Sequence, residues 1–373
     1  MDRKEAILFN DSPFITEGLV SLGNVKVAYE TWGELNSARN NAVLVLHALT
    51  GDSHAASHHE GDSFGWWEGL IGPSKAIDTS KFFVIAPNVF GSCYGTTGPT
   101  SIRGNGAVFG ADFPEITIGD QVSVEKALID HLGIDHLALV IGGSMGGMRA
   151  LEWGYRFGYM VDELALVATC ARATAFQIGL SSLQIRSIEL DPNYRGGRYY
   201  EYGVAPEAGL SLARGVAHLS YRNSSELDDR FSNKPSLQRE GSSEQMYEVD
   251  SYLRHHGDKL NQRFDANTYI KLVRAMSNFD IGRGRGGVEA ALSKITSRTI
   301  VIGVDGDELF HPHLQYELAL GIGKNATMDL IKSDVGHDGF LVDAAAIGEV
   351  LLRRSSVLKL DSQVKEAFLS CVN

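Results

Sequence analysis

Leu137-Ala138-Leu139-Val140-Ile141-Gly142-Gly143-Ser144-Met145-Gly146-Gly147 passes from an unbroken apolar run through a glycine-rich turn into a helical pattern that continues to Phe157. Short apolar runs without alternation belong to strands covered on both faces, as in a parallel sheet. The serine at the turn sits in the pattern Gly-x-Ser-x-Gly. That pattern alone says little in a chain with 41 glycines. Between a strand and a helix it says more. A tight strand-to-helix turn strains the serine backbone, and glycine at the flanks is what escapes a steric clash. The segment reads as a turn that presents Ser144 as a nucleophile at the end of a buried strand.

Outward from this turn, similar apolar runs occupy 42–46, 82–86, 163–168, 299–304 and 327–331. Helical patterns lie between and after them, at 119–132 (with Val122, Ala127, Leu128 and Leu132 on one face), 145–157 and 340–352. Alternating strand and helix predicts an α/β, mostly parallel, doubly wound sheet. Near the N-terminus, 19–22 and 25–31 flank Gly23-Asn24, and the second run alternates, which predicts antiparallel strands. The alternation stops between 173 and 291. That region holds helical stretches at 175–190, 206–221, 245–260 and 266–276 and a charged, turn-rich part at 223–241. It is expected to form a helical lid inserted into a core made of 1–172 and 292–373. A length of 373 residues fits one large α/β domain with an insertion better than a single compact core. Gly282, Gly284 and Gly287 match Gly-x-Gly-x-x-Gly but follow a helix rather than a strand, so they read as the return from the lid.

A nucleophilic serine needs a base and a carboxylate to orient that base. In the α/β-hydrolase fold, which the serine turn and the strand pattern define, the chain order is Ser, Asp or Glu, His. The run 299–304 ends in Asp305-Gly306-Asp307, and spacing does not separate the two aspartates. The run 327–331 leads into Gly336-His337-Asp338-Gly339, which makes His337 the expected base. The oxyanion hole needs two backbone amides. Met145, after the nucleophile, should give one, and Leu49, in His47-Ala48-Leu49-Thr50-Gly51 after the early core run, the other. His54, His58 and His59 have spacings that suit a metal, as do His311 and His313. No cysteine or carboxylate completes either set, and a serine nucleophile needs no metal, so none is expected. Trp66-Trp67 reads as packing, and Cys93 and Cys170 as small buried residues.

Composition narrows the partners. The net charge of −12 argues against nucleic acid and anionic membranes, although a local arginine can still bind a small anion. No apolar run approaches the roughly 18 residues of a membrane span. Met1-Asp2-Arg3-Lys4-Glu5 does not begin a signal peptide, and three cysteines (Cys93, Cys170, Cys371) give no disulfide framework. A cytoplasmic protein is expected.

Taken jointly, His47-Ala48-Leu49-Thr50-Gly51, Gly65-Trp66-Trp67, Leu70-Ile71-Gly72-Pro73, Gly91-Ser92-Cys93, Gly98-Pro99, 142–148 with Ala150-Leu151-Glu152-Trp153, Leu212-Ala213-Arg214 and Gly336-His337-Asp338 resemble the homoserine O-acetyltransferase family of methionine biosynthesis. The resemblance implies an α/β-hydrolase core under a helical lid, a homodimer formed through the lid, and ping-pong transfer of acetyl from acetyl-CoA to homoserine. Acetyl-CoA would be a co-substrate, with no cofactor. It also implies that Asp307, one residue before a Leu-Phe pair at Leu309-Phe310, is the catalytic acid. Arg214 and Asp338 match the residues that hold the carboxylate and amino ends of homoserine. His311 replaces a usual proline and Gly91-Ser92-Cys93 a usual Gly-Gly-Cys, which leaves room for a changed pocket. Succinyl transfer, acylation of serine, and ester or amide hydrolysis use the same triad. A catalytically dead binding module would normally lack a triad member, and Ser144, Asp307 and His337 are all present.

Overall fold

The structure, a computed structural model, describes residues 3–236 and 246–359. Cys371, the end of the turn-rich segment and the first residue of the 245–260 stretch lie outside them. Eight strands form the main sheet: β1 (Lys4–Leu8), β2 (Val25–Trp32), β3 (Ala42–Leu46), β4 (Phe83–Pro87), β5 (Leu137–Gly143), β6 (Val161–Val167), β7 (Arg298–Asp305) and β8 (Ala326–Lys332). Their order is β1-β2-β4-β3-β5-β6-β7-β8. β2 is antiparallel to both β1 and β4, and all later neighbours are parallel. Alternate residues of one strand face opposite cores. Leu44 and Val140 join the cluster on one face, and Val45 and Ile141 join the cluster on the other. That two-sided burial explains the unalternated apolar runs.

Because β3, β5, β6, β7 and β8 run parallel, their carboxyl ends share one edge, and the loops after Leu46, Gly143, Asp305 and Lys332 gather there. Ligands of open α/β sheets bind outside that edge. The flanking helices include α1 (Ile118–His131), opened by a capping box of Thr117 and Asp120, and α2 (Met145–Phe157), which follows Ser144 directly. Between β6 and β7 stand α3 (Ala175–Glu189), α4 (Glu207–Tyr221), α5 (Ser224–Phe231), α6 (Glu248–Asn261) and α7 (Ala266–Ser277). The chain enters and leaves this helical region side by side. Ala173 N–H donates to Phe279 O, and Ile281 N–H donates to Ala171 O, both at 2.9 Å. The Gly282–Gly287 turn lies just past that closure. α8 (Pro312–Ile322) and α9 (Ala344–Arg354) complete the core layers. No helix among the described residues is long and apolar enough to cross a membrane.

Two expectations fail locally. The 25–31 run pairs with Lys4–Leu8, while Ser21–Leu22 pairs with Phe14–Ile15 in a separate small sheet, so Gly23-Asn24 is not a hairpin between paired strands. Within 223–241, Asn223 caps α5 by accepting from Ser225 N–H, so part of the turn-rich segment is helical.

Candidate active site

Ser144 takes φ 56° and ψ −121°, a conformation that non-glycine residues rarely adopt. The flanking glycines are sterically required. A Cβ on Gly142 would come within 2.2 Å of Gly146 O, and one on Gly146 within 2.0 Å of Leu46 O. The strain is held by the sheet on one side, where Ser144 N–H donates to Val167 O at 3.0 Å. Thr169 Oγ1 donates to Ser144 O at 2.9 Å.

His337 Nε2 lies 3.0 Å from Ser144 Oγ, and His337 Nδ1 lies 2.7 Å from Asp307 Oδ2. All three side chains are buried. Asp307 Oδ1 accepts from Leu309 N–H at 2.9 Å and Phe310 N–H at 2.7 Å, so the carboxylate is held from both oxygens. Asp305 is exposed and turned to a different, polar hollow. Phe310 stacks on the His337 ring at 4.8 Å, with Phe340 at 5.2 Å and Tyr221 at 5.9 Å. The lid reaches the same loops. Asn223 N–H donates to Val335 O at 3.3 Å, and Asn223 Nδ2 donates to Gly306 O at 3.2 Å.

The amides of Leu49 and Met145 belong to two elements fastened together beneath the site. Arg149, one turn into α2, donates to His47 O and pairs with Glu125 of α1, its side chain 0% exposed and that of Glu125 2%. Trp153 Nε1–H donates to the other Glu125 oxygen at 2.8 Å. Burial pushes the Glu125 carboxyl up and the Arg149 guanidinium down, and each charge offsets the shift of the other. His47 Nε2 accepts from Val89 N–H at 3.0 Å, and its Nδ1 faces Ala48 O at 2.7 Å. Burial, helped by the Arg149 charge, pushes His47 down to about 3, so it is a neutral ring holding the loop.

Arg214 of α4 lies half-buried above this loop, its Nη1 3.5 Å from Thr50 Oγ1 and its guanidinium 5.4 Å from the centre of the Tyr221 ring. Arg263 donates to Thr50 O at 2.8 Å and to the Tyr94 hydroxyl at 2.7 Å, a second tie between lid and loop. Asp338 follows the His337 turn. Burial raises its carboxyl, against the charges of His337, Arg214 and Arg222. Arg214 and Asp338 are thus near enough for their charges to act on one another, beside the His337 turn. The structure brings Ser144, Asp307, His337, Leu49, Met145, Arg214 and Asp338 to one place.

Other sequence candidates lie elsewhere. Contrary to expectation, a carboxylate does complete the first histidine set. Glu30 of β2, distant in sequence, places Oε2 2.8 Å from His54 Nδ1 and 2.9 Å from His58 Nε2. Ser53 Oγ donates to the other Glu30 oxygen at 2.8 Å, and His54 Nε2 meets Ser63 O at 2.8 Å. Hydrogen bonds already engage both His54 nitrogens and both carboxylate oxygens, so the group braces the loop after Gly51. His311 and His313 stack on one another. Trp67 is fully buried with Nε1–H on Phe340 O at 2.9 Å, so it packs against the His337 loop. Cys170 is buried, while Cys93 is only partly so, its thiol pushed up to about 12 by burial. Tyr221, Thr50, Arg149, Arg222 and Arg263 were not singled out from the sequence. Their roles come from contacts across more than a hundred residues, or from a place on the lid that periodicity alone does not orient.

A strained serine at the carboxyl edge of such a sheet, hydrogen-bonded to a histidine that meets an aspartate, defines an α/β-hydrolase-fold protein. The sequence profile described as the alpha/beta hydrolase fold matches residues 41–344. A homoserine O-acetyltransferase of Clavibacter michiganensis subsp. michiganensis is 49% identical over 339 residues, 88% of this chain and 87% of that protein. Within the superfamily, the chain belongs to the homoserine O-acetyltransferase family. The crystal structure of homoserine O-acetyltransferase from Bacillus anthracis superposes with a TM-score of 0.88 at 27% identity, covering 95% of this chain and 97% of that one. Esterase E22 superposes with a TM-score of 0.86 at 29% identity, covering 96% and 99%.

Proposed function

We propose that this acyltransferase moves the acetyl group of acetyl-CoA to the side-chain hydroxyl of homoserine through an acetyl-Ser144 intermediate. The observation that carries the reading is the unbroken chain Ser144–His337–Asp307 beneath a lid that bears Arg214. Ser144 Oγ attacks the thioester carbonyl while His337 Nε2 takes its proton, and Asp307 steadies the imidazolium. The carbonyl oxygen, negative in the tetrahedral intermediate, is held by the Leu49 and Met145 amides. The C–S bond then breaks, and His337 protonates the departing thiolate. In the second half, the homoserine hydroxyl gives its proton to His337 and attacks the acyl carbon, and Ser144 takes the proton back as it leaves. Arg214 grips the acceptor carboxylate with its planar fork, and Asp338 faces the acceptor ammonium.

The same reading makes the product a precursor in methionine biosynthesis and places the protein in the cytoplasm. It needs no metal or cofactor, and it involves neither nucleic acid nor membrane. A homodimer through the lid is supported by Phe176, Leu183 and Leu190 of the α3 region and Leu212 and Leu219 of α4. All are exposed apolar residues on neighbouring helices. Sedimentation should give a dimer, and Leu183→Asp with Leu212→Asp should give a monomer. A hydrolase reading is favoured by the likeness to esterase E22, at 29% identity against 49% for the Clavibacter acetyltransferase. Thiol release from acetyl-CoA with homoserine, with serine and with neither decides between them. Strong stimulation by homoserine alone, with O-acetylhomoserine as product, supports the transferase. Fast release indifferent to either amino acid indicates an esterase.

A further inference from the structure

Between the Leu49 loop and the helices that follow β6 lies a small, partly open cavity of about 40 Å³, room for roughly three water molecules or a chain of two or three methylenes. Leu49, Tyr221 and Phe310 wall it on the side of the catalytic groups, and Leu180, Val273 and Met276 close it from α3 and α7. None of its lining residues carries an ionised side chain. Most of its polar groups are already engaged. Gln177 Nε2 donates to Leu309 O at 2.8 Å, while its Oε1 accepts from Thr174 N–H at 2.9 Å. Gln184 Oε1 accepts from the Tyr269 hydroxyl at 3.0 Å, and the Ser220 hydroxyl donates to Ala217 O at 2.8 Å. The Ser277 hydroxyl is left without a partner, and with Ser181, the Gln184 amide N–H and the Tyr221 hydroxyl it offers only uncharged donors, which do not supply the opposite charge that a buried carboxylate needs.

We infer that this cavity is an acyl-chain subsite. The enzyme then also transfers neutral acyl groups longer than acetyl, namely propionyl and butyryl, from their coenzyme A thioesters, and discriminates against dicarboxylic ones such as succinyl. The inference rests on the acyl-serine reading above. With the carbonyl oxygen at the Leu49 amide, the carbonyl substituent lies beside the Leu49 wall, and further methylenes enter the cavity. The chemistry is unchanged. The Ser144 Oγ–C bond forms, the C–S bond breaks, and the serine proton passes through His337 to the thiolate. In the second half the acceptor O–C bond forms, the Ser144 Oγ–C bond breaks, and the acceptor proton returns to Ser144. Each methylene moved from water into apolar walls is worth about fourfold in affinity. A carboxylate buried there without a partner is disfavoured far more strongly, or must take up a proton.

The test uses the full-length protein with homoserine and each thioester in turn, reading thiol release and confirming each O-acyl product by mass. The expected kcat/KM for propionyl- and butyryl-CoA is at least about a tenth of that for acetyl-CoA, and succinyl-CoA falls about a hundredfold or more below butyryl-CoA. Ser181→Phe, at a half-buried position in the α3 wall, should lower the ratio of butyryl to acetyl transfer by about tenfold. The ratio is read on the same active sites, so a misfolded fraction cancels. Butyryl transfer below about a tenth of acetyl, succinyl transfer matching butyryl, or an unmoved ratio in Ser181→Phe would each overturn the subsite. Absence of transfer from acetyl-CoA itself would sink the acyltransferase reading, a different and distinguishable failure.

Discussion

Arg149→Met separates what the buried ion pair does for stability from what it does for catalysis. The Arg149 and Glu125 side chains are 0% and 2% exposed, so removing either leaves the other charge buried without its partner. That costs about 3–5 kcal/mol of stability, and Glu125→Gln should cost a similar amount. The double variant buries two neutral groups instead, and the side-chain amide introduced by Glu125→Gln still offers Trp153 Nε1–H an acceptor. It should return to within about 2 kcal/mol of the parent. Catalysis should not return with it. Arg149 also donates to His47 O, which ties the Leu49 loop to the helix that supplies the Met145 amide. A donor displaced by about 1 Å costs on the order of a hundredfold in rate. Urea unfolding followed by circular dichroism gives the stabilities, and thiol release at saturating homoserine gives kcat. The expected result is recovered stability with kcat still reduced about 10–100-fold. Full recovery of kcat alongside stability would refute the positioning argument and leave Arg149 a purely structural residue.

Other outcomes follow from the same geometry. Arg214→Ala should lower kcat/KM for homoserine about 10–100-fold while leaving the initial burst of thiol release nearly intact, because a charge-assisted contact to the acceptor is lost and the first half-reaction is not. Equal loss in both halves would place Arg214 at the acyl donor. His47 is held near 3, below the ordinary histidine value, so the unfolded chain binds a proton that the folded one refuses. Its contribution is complete above about pH 6.5 and is lost as pH falls toward 3, at up to about 1.4 kcal/mol per pH unit. Burial pushes His218 down to about 2, which acts in the same direction. The melting temperature should drop between pH 6.5 and 4.5, and His47→Gln should flatten that slope. Gly146→Ala should abolish turnover, since its Cβ would meet Leu46 O at 2.0 Å and push α2 from the oxyanion loop. An active Gly146→Ala enzyme would show that the loop and helix can separate freely.

The core was legible because its strands are buried on both faces. Runs such as 137–141 and 299–304 need no tertiary information to be recognised, and each falls within a strand. Ser144 was legible for a related reason, since it follows such a run at the sheet edge where loops gather; the strand before His337 is mostly half-exposed, with Ile331 buried, and there the chain order Ser, Asp, His supplied the reading. Asp305 and Asp307 were not separable by spacing. What distinguishes them is the turn that points Asp307 Oδ1 at Leu309 and Phe310 N–H, a three-dimensional fact. The Glu30 brace was invisible because its partners are 24 and 28 residues away in a loop without periodicity. The partner of 25–32 was missed because Lys4–Leu8 is a five-residue edge strand with only two buried side chains. Arg149 was not singled out from the sequence. Its burial depends on Glu125 arriving from α1, which no local pattern foretells.

Every step of the proposed transfer passes through the acyl-serine. Intact-mass measurement of the protein quenched within the first turnover after mixing with acetyl-CoA should show one added acetyl group, mapped to Ser144 by peptide digestion. Adding homoserine should discharge it as O-acetylhomoserine, and Ser144→Ala should acquire no adduct. An adduct at Cys93, or full transfer activity in Ser144→Ala, would contradict the mechanism.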